Sequence, residues 1–86
     1  MHTRTKDNKS EKTYQRVRDR MKKRINKFRA QEKVSTELID RAEMQYEIFR
    51  SQALDRKKTV KTKEDALQFV DWLFEQERSF EKYLEV

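Results

Sequence analysis

Lys12–Lys33, KTYQRVRDRMKKRINKFRAQEK, is the stretch on which the reading of the whole chain turns. Tyr14, Val17, Met21, Ile25 and Phe28 recur at steps of three or four, the period of a helix with one apolar side. Around that seam stand Lys12, Arg16, Arg18, Arg20, Lys22, Lys23, Arg24, Lys27, Arg29 and Lys33, relieved locally by Glu11, Asp19 and Glu32. Residues 1–33 carry 13 basic and 4 acidic side chains. Like charges at i,i+4, such as Arg16–Arg20 and Lys23–Lys27, weaken an isolated helix, and the apolar seam is thin. This helix therefore requires a partner surface.

The rest of the chain supplies it. Ser35 is placed to cap a second helix, with Val34 and Ile39 at the positions of a hydrophobic staple and Glu37 in the first turn. Leu38, Ile39, Ala42, Tyr46, Phe49 and Ala53 form its apolar face; Met44 and Ile48 fall off that face, and Leu54 widens its end. Thr62-Lys63-Glu64-Asp65 resembles a capping box with Asp in place of Glu or Gln, and it starts a third helix. Val70, Leu73, Phe80 and Leu84 are the expected core residues there, with Phe69, Trp72 and Phe74 spread around them. The chain contains no Gly and no Pro, which favours long helices and short polar links. The expected fold is an all-α three-helix bundle, with helices at about 11–32, 36–57 and 63–84 forming a single domain from 10 to 86. Residues 1–9 read as a flexible basic arm, and Ser10 as the cap of the first helix.

At 86 residues, with 34% hydrophobic and 44% charged side chains, one modest core is the most the chain can build. No cysteine is present, so a disulfide framework and Cys-based zinc are excluded, as are glycine-dependent phosphate loops. No apolar run is long enough for a membrane span, and the chain does not open on a secretory pattern; a cytoplasmic protein is expected. The only histidine is His2. Glu43 with Glu47, and Glu77 with Glu81, are spaced i,i+4 but lack the Glu-x-x-His motifs of di-metal bundles, so they read as solvated faces. No enzyme and no cofactor is expected.

Charge is distributed unevenly. Residues 34–61 carry 6 basic and 5 acidic side chains, whereas residues 62–86 carry 3 basic and 7 acidic ones. The first and third helices of a short-loop bundle run parallel and can be neighbours, so acid and base can partly neutralise each other. The leading expectation is a non-enzymatic accessory or regulatory protein that contacts duplex DNA phosphates mainly through the first helix. Arg16, Arg20, Lys23, Arg24 and Lys27 are the expected contacts there, with Lys57, Lys58 and Lys61 adding to them. RNA and single-stranded DNA fit the same charge. A solvated basic surface is the plain alternative, because Lys and Arg are good helix formers. No zinc-finger spacing, sustained leucine heptad or short helix-turn-helix accompanies the basic stretch. Phe69, Trp72, Phe74, Phe80 and Tyr83 exceed one apolar stripe; they either make the third helix the central packing element or form a homodimer or partner interface. The alternative function is a protein-binding adaptor or inhibitor docking through the basic first or aromatic third helix. Docking on a membrane surface is disfavoured by the narrow apolar side of the first helix, which lacks Trp and Leu.

Overall fold

The computed structural model describes residues 8–31 and 33–84. They form three helices, α1 (Asn8–Arg29), α2 (Thr36–Lys58) and α3 (Lys63–Leu84), packed as an up-down-up bundle with no strand among the described residues. Each helix begins or ends by identifiable chemistry. The Leu38 amide donates to Ser35 Oγ at 3.2 Å, which satisfies one free N–H of the α2 start. At α3 the capping box closes in both directions: the Asp65 amide donates to Thr62 Oγ1 at 3.1 Å, and the Thr62 amide donates to Asp65 Oδ2 at 3.3 Å. The Lys61 amide shares that carboxylate at 3.2 Å, so one Asp fixes the whole α2–α3 link. The Thr59 amide and hydroxyl both donate to the Arg56 carbonyl, ending α2. No described residue has positive φ, so the reversals are made without the left-handed backbone that glycine would provide.

The α1 boundaries differ from expectation. The helix already includes Asn8 and Lys9, ahead of Ser10, and it ends at Arg29, before the expected Glu32. Of the expected arm over 1–9, residues 1–7 lie outside the described residues, as does Glu32, while Asn8 and Lys9 belong to α1. Ser10 is not a cap. It sits inside the helix at 2% exposure, on the side that carries Tyr14 and Val17. At the other end, the Gln31 amide donates to the Phe28 carbonyl at 3.0 Å, a tighter turn that closes the helix early enough for the chain to reverse into α2.

One core runs through the bundle. It takes Tyr14, Val17, Met21 and Ile25 from α1, Ala42, Tyr46, Phe49 and Ala53 from α2, and Phe69, Leu73, Phe80 and Leu84 from α3. Phe28, Val60, Trp72 and Tyr83 close its edges. The two alanines of α2 allow close approach, and the aromatic rings fill the wider levels. Phe49 and Phe69 lie nearly parallel to Trp72 at 5.9 and 6.2 Å, and the Arg56 guanidinium lies 4.6 Å from the indole centroid. On α3 the expected roles of Phe69 and Val70 are exchanged: Phe69 is core and Val70 is half-buried. Phe69 joins the buried line of 73, 80 and 84, and its ring lies nearly parallel to that of Trp72 on the same helix.

Candidate nucleic-acid interface

Ion pairs define how the helices meet. Arg20 Nε and Nη2 donate to Glu77 Oε2 and Oε1 at 2.6 and 2.8 Å, a bidentate pair between α1 and α3. One turn on, Arg24 Nη2 meets Glu81 at 2.9 Å. Both pairs have the same offset of 57 residues, so α1 and α3 run parallel and in register. The Glu77 carboxylate raises the Arg20 guanidinium above its ordinary pKa through that hydrogen bond, and burial opposes it. Lys57 pairs with Glu11, and Arg29 with Glu43, tying α2 antiparallel against the opposite edge of α1. Arg50 reaches Glu47 at 3.3 Å, and its pKa is raised above the ordinary value first by the Tyr14 side chain and then by the Glu47 charge.

These contacts separate the expected phosphate-binding residues into two groups. Arg20, Arg24 and Lys57 are held in ion pairs between helices. The Arg24 Nε is shielded from solvent without a hydrogen-bond partner, so only its Nη2 end is satisfied by Glu81. Arg16, Lys23, Lys27, Lys58 and Lys61 are exposed and carry no ion pair among the described residues. Glu47 stays on a solvated face as expected, exposed and, among the described residues, paired only with Arg50 of its own helix, while Glu43 pairs with Arg29 and the α3 residues Glu77 and Glu81 each hold an arginine of α1. That outcome depends on the parallel register of α1 and α3, which a single helix pattern does not contain.

Lys9 is the residue that the sequence reading missed. Once α1 starts at Asn8, Lys9 joins Lys12, Arg16, Lys23 and Lys27 at helical spacing on the outer, α3-side flank of α1, all exposed. The row runs about 27 Å from Lys9 to Lys27 at 1.5 Å per residue. Lys9, Lys12 and Arg16, and again Lys23 and Lys27, are about 4.5–6 Å apart along the axis, within the Debye length of about 10 Å at 0.1 M salt, so their potentials add within each group. Lys58 and Lys61 lie at the same end of the bundle as Lys9, because the Lys57–Glu11 contact brings the α2–α3 link to the start of α1. On the α2-side flank the cations are engaged differently: Arg18 lies over the Tyr14 ring at 5.5 Å and Lys22 over Tyr46 at 6.0 Å.

The aromatic set divides as well. Phe69 and Phe80 are buried in the core, and Trp72 and Tyr83 pack half-buried against it. Phe74 alone of the five is exposed, at 39%, and Leu67 on the same side of α3 is 62% exposed. The common register sets Leu67 level with Ser10 and Phe74 level with Val17, so both border the free cations of α1. Among the described residues, no helix is long and apolar enough to cross a membrane, and no group of three or more His, Cys, Asp or Glu is gathered as for a metal ion. No protein-family model matches the chain, and no curated protein or solved structure matches it either.

Proposed function

We propose that this chain is a non-enzymatic nucleic-acid-binding protein that holds duplex DNA through phosphate contacts from the outer flank of α1. The observation that carries the reading is the row Lys9, Lys12, Arg16, Lys23 and Lys27, exposed and without ion pairs among the described residues, while Glu77 and Glu81 of α3 are engaged by Arg20 and Arg24. Such a row neutralises phosphates by releasing condensed counterions and needs no base-reading side chain. Its length matches about eight base pairs at 3.4 Å each. An accessory or regulatory role and a cytoplasmic location belong to the same proposal and rest on composition.

The test is fluorescence anisotropy of the full chain against labelled duplex DNA, single-stranded DNA and duplex RNA between about 50 and 300 mM salt. Saturable binding to the DNA duplex, weakening steeply with salt, is the expected result. A preference for RNA or single strands would keep the phosphate mechanism and change the ligand class. Flat traces near 100 mM salt with all three would overturn the proposal.

Exposed Leu67 and Phe74 beside the same cations favour a second reading, a protein-binding adaptor or inhibitor whose partner is acidic and apolar. Phe74→Ala separates the two. It leaves duplex affinity within about twofold if phosphates are the target, and it removes capture of such a partner if they are not. Trp72 is unsuited to that test, because it is stacked between Phe49, Phe69 and Arg56.

A further inference from the structure

The side of α2 turned away from α1 is unlike the rest of the surface. Arg41, Gln45, Ile48, Gln52 and Asp55 recur at steps of four and three, the spacing of a coiled-coil seam, with Met44 beside them. Met44 is 61% and Ile48 is 42% exposed. Between Arg41 and Asp55 this side has no charged residue, in a chain where 44% of residues are charged. The charges that bound it are opposite in sign and equidistant from Ile48, Arg41 seven residues before it and Asp55 seven after. Arg41 has only a loose contact of 3.8 Å with Glu37, both side chains being largely exposed, and Asp55 has no ion pair among the described residues.

We propose that α2 is a homodimerisation seam, on which a second copy of this chain packs antiparallel with the two-fold axis at Ile48. An antiparallel two-fold brings each position before Ile48 against the position equally far after it in the other copy. Ile48 then meets Ile48 of the second copy, Met44 meets its Gln52, and Gln45 meets its Ser51. Arg41 meets Asp55 at both ends of the seam. Gln45 and Ser51 each both donate and accept hydrogen bonds, so the two can satisfy one another across the seam.

The charge pattern selects a second copy over another partner. Each chain has a net charge of +6, so two copies repel wherever like-charged surfaces face. The other exposed apolar strip, Leu67 and Phe74, borders the free cations of α1 and would bring those rows together. The α2 seam is neutral at its centre and self-complementary at its ends, and its use leaves the outer flank of α1 open in both copies. From Arg41 to Asp55 it is about 21 Å long. That contact is shorter than a standard interface of about 800 Å² per partner requires, so a weak, concentration-dependent dimer is expected.

Sedimentation equilibrium of the full chain from about 5 µM to 1 mM tests the proposal, with circular dichroism to verify the fold of each variant. The expected result is a concentration-dependent dimer, weakened at least about tenfold by Ile48→Glu, whose site is exposed and outside the core. Arg41→Glu and Asp55→Arg each weaken it, and the double variant restores it. A monomer at 1 mM overturns the seam, and so does a dimer unaffected by Ile48→Glu or a double variant no better than either single one.

Discussion

If the outer flank of α1 binds phosphates, the salt dependence of binding counts the cations that the fold leaves free. Lys9, Lys12, Arg16, Lys23 and Lys27 form the free row. Five phosphate contacts give a slope of log affinity against log salt of about −4.5, or a loss of about 500-fold between 50 and 200 mM. Replacing Arg16, Lys23 and Lys27 by Gln leaves two contacts, a slope of about −1.8 and a loss of only about tenfold over the same range. Gln is a good helix former and these side chains are exposed, so the fold persists. Arg20→Gln is the matched control: it removes one positive charge from the same helix, but one already held by Glu77. Its slope stays within about one ion of the parent. The assay is anisotropy on one duplex at four or five salt concentrations, for parent, triple variant and control. A triple variant with the parental slope, or a control as damaging as the triple variant, would refute the reasoning.

Removing the carboxylate from the Arg20–Glu77 pair should move stability and binding in opposite directions. Glu77→Gln lowers unfolding stability by about 0.5–1 kcal/mol, the scale of a partly exposed ion pair, while freeing Arg20 steepens the salt slope by about 0.9. Chemical denaturation and anisotropy on the same sample check both; a change of the same sign in the two would contradict the division of α1 into structural and free cations. Stability should also decline in strong base through Tyr46. Burial raises this phenol above its ordinary pKa, opposed in part by Arg50 and Arg18. The neutral form is thus the one the fold prefers: its contribution is complete below about pH 10 and is lost as pH rises through the folded value. Thermal melts from pH 8 to 11 should show a smaller decline for Tyr46→Phe than for the parent, and superimposable declines would rule out this cause.

The buried lines of α1 and α2 were legible because a helix repeats every 3.6 residues and this chain places apolar residues at that period with few exceptions. Tyr14, Val17, Met21 and Ile25 were read correctly as core, and Met44 and Ile48 correctly as lying off it. The caps at Ser35 and Thr62 were legible for a different reason, since each is a local reaction between a side chain and an amide three residues away. What the pattern did not contain was register. Whether Arg20 or Arg16 meets a glutamate depends on how far α3 slides along α1, and the common offset of the Arg20–Glu77 and Arg24–Glu81 pairs is a property of both helices together. Ser10 suits a cap chemically, but it is buried inside a helix that already includes Asn8 and Lys9. On α3, apolar residues cover more than one face, so periodicity could not choose between Phe69 and Val70. The bundle buries Phe69 and leaves Val70 half-buried.

The pairs between α1 and α3 also explain how so basic a helix holds its shape. Alone, α1 repeats like charges at i,i+4, each such pair costing about 0.2–0.5 kcal/mol, around a narrow apolar seam. Placing carboxylates at Glu77 and Glu81 opposite the middle of that row relieves the repulsion where Arg20 would otherwise face Arg16 and Lys23 together. It does so without cancelling the row, because Arg16, Lys23 and Lys27 lie farther around the helix than Arg20 and Arg24 and keep no ion pair among the described residues. A third acid at the α3 level of Arg16 would complete the ladder. The common offset puts Leu73 there, fully buried, and Phe74 beside it, so the ladder ends and Arg16 stays free. Phe74→Glu would extend the ladder toward Arg16. Under the phosphate mechanism it should lower duplex affinity and flatten the salt slope by about one ion, although no α1 cation is altered.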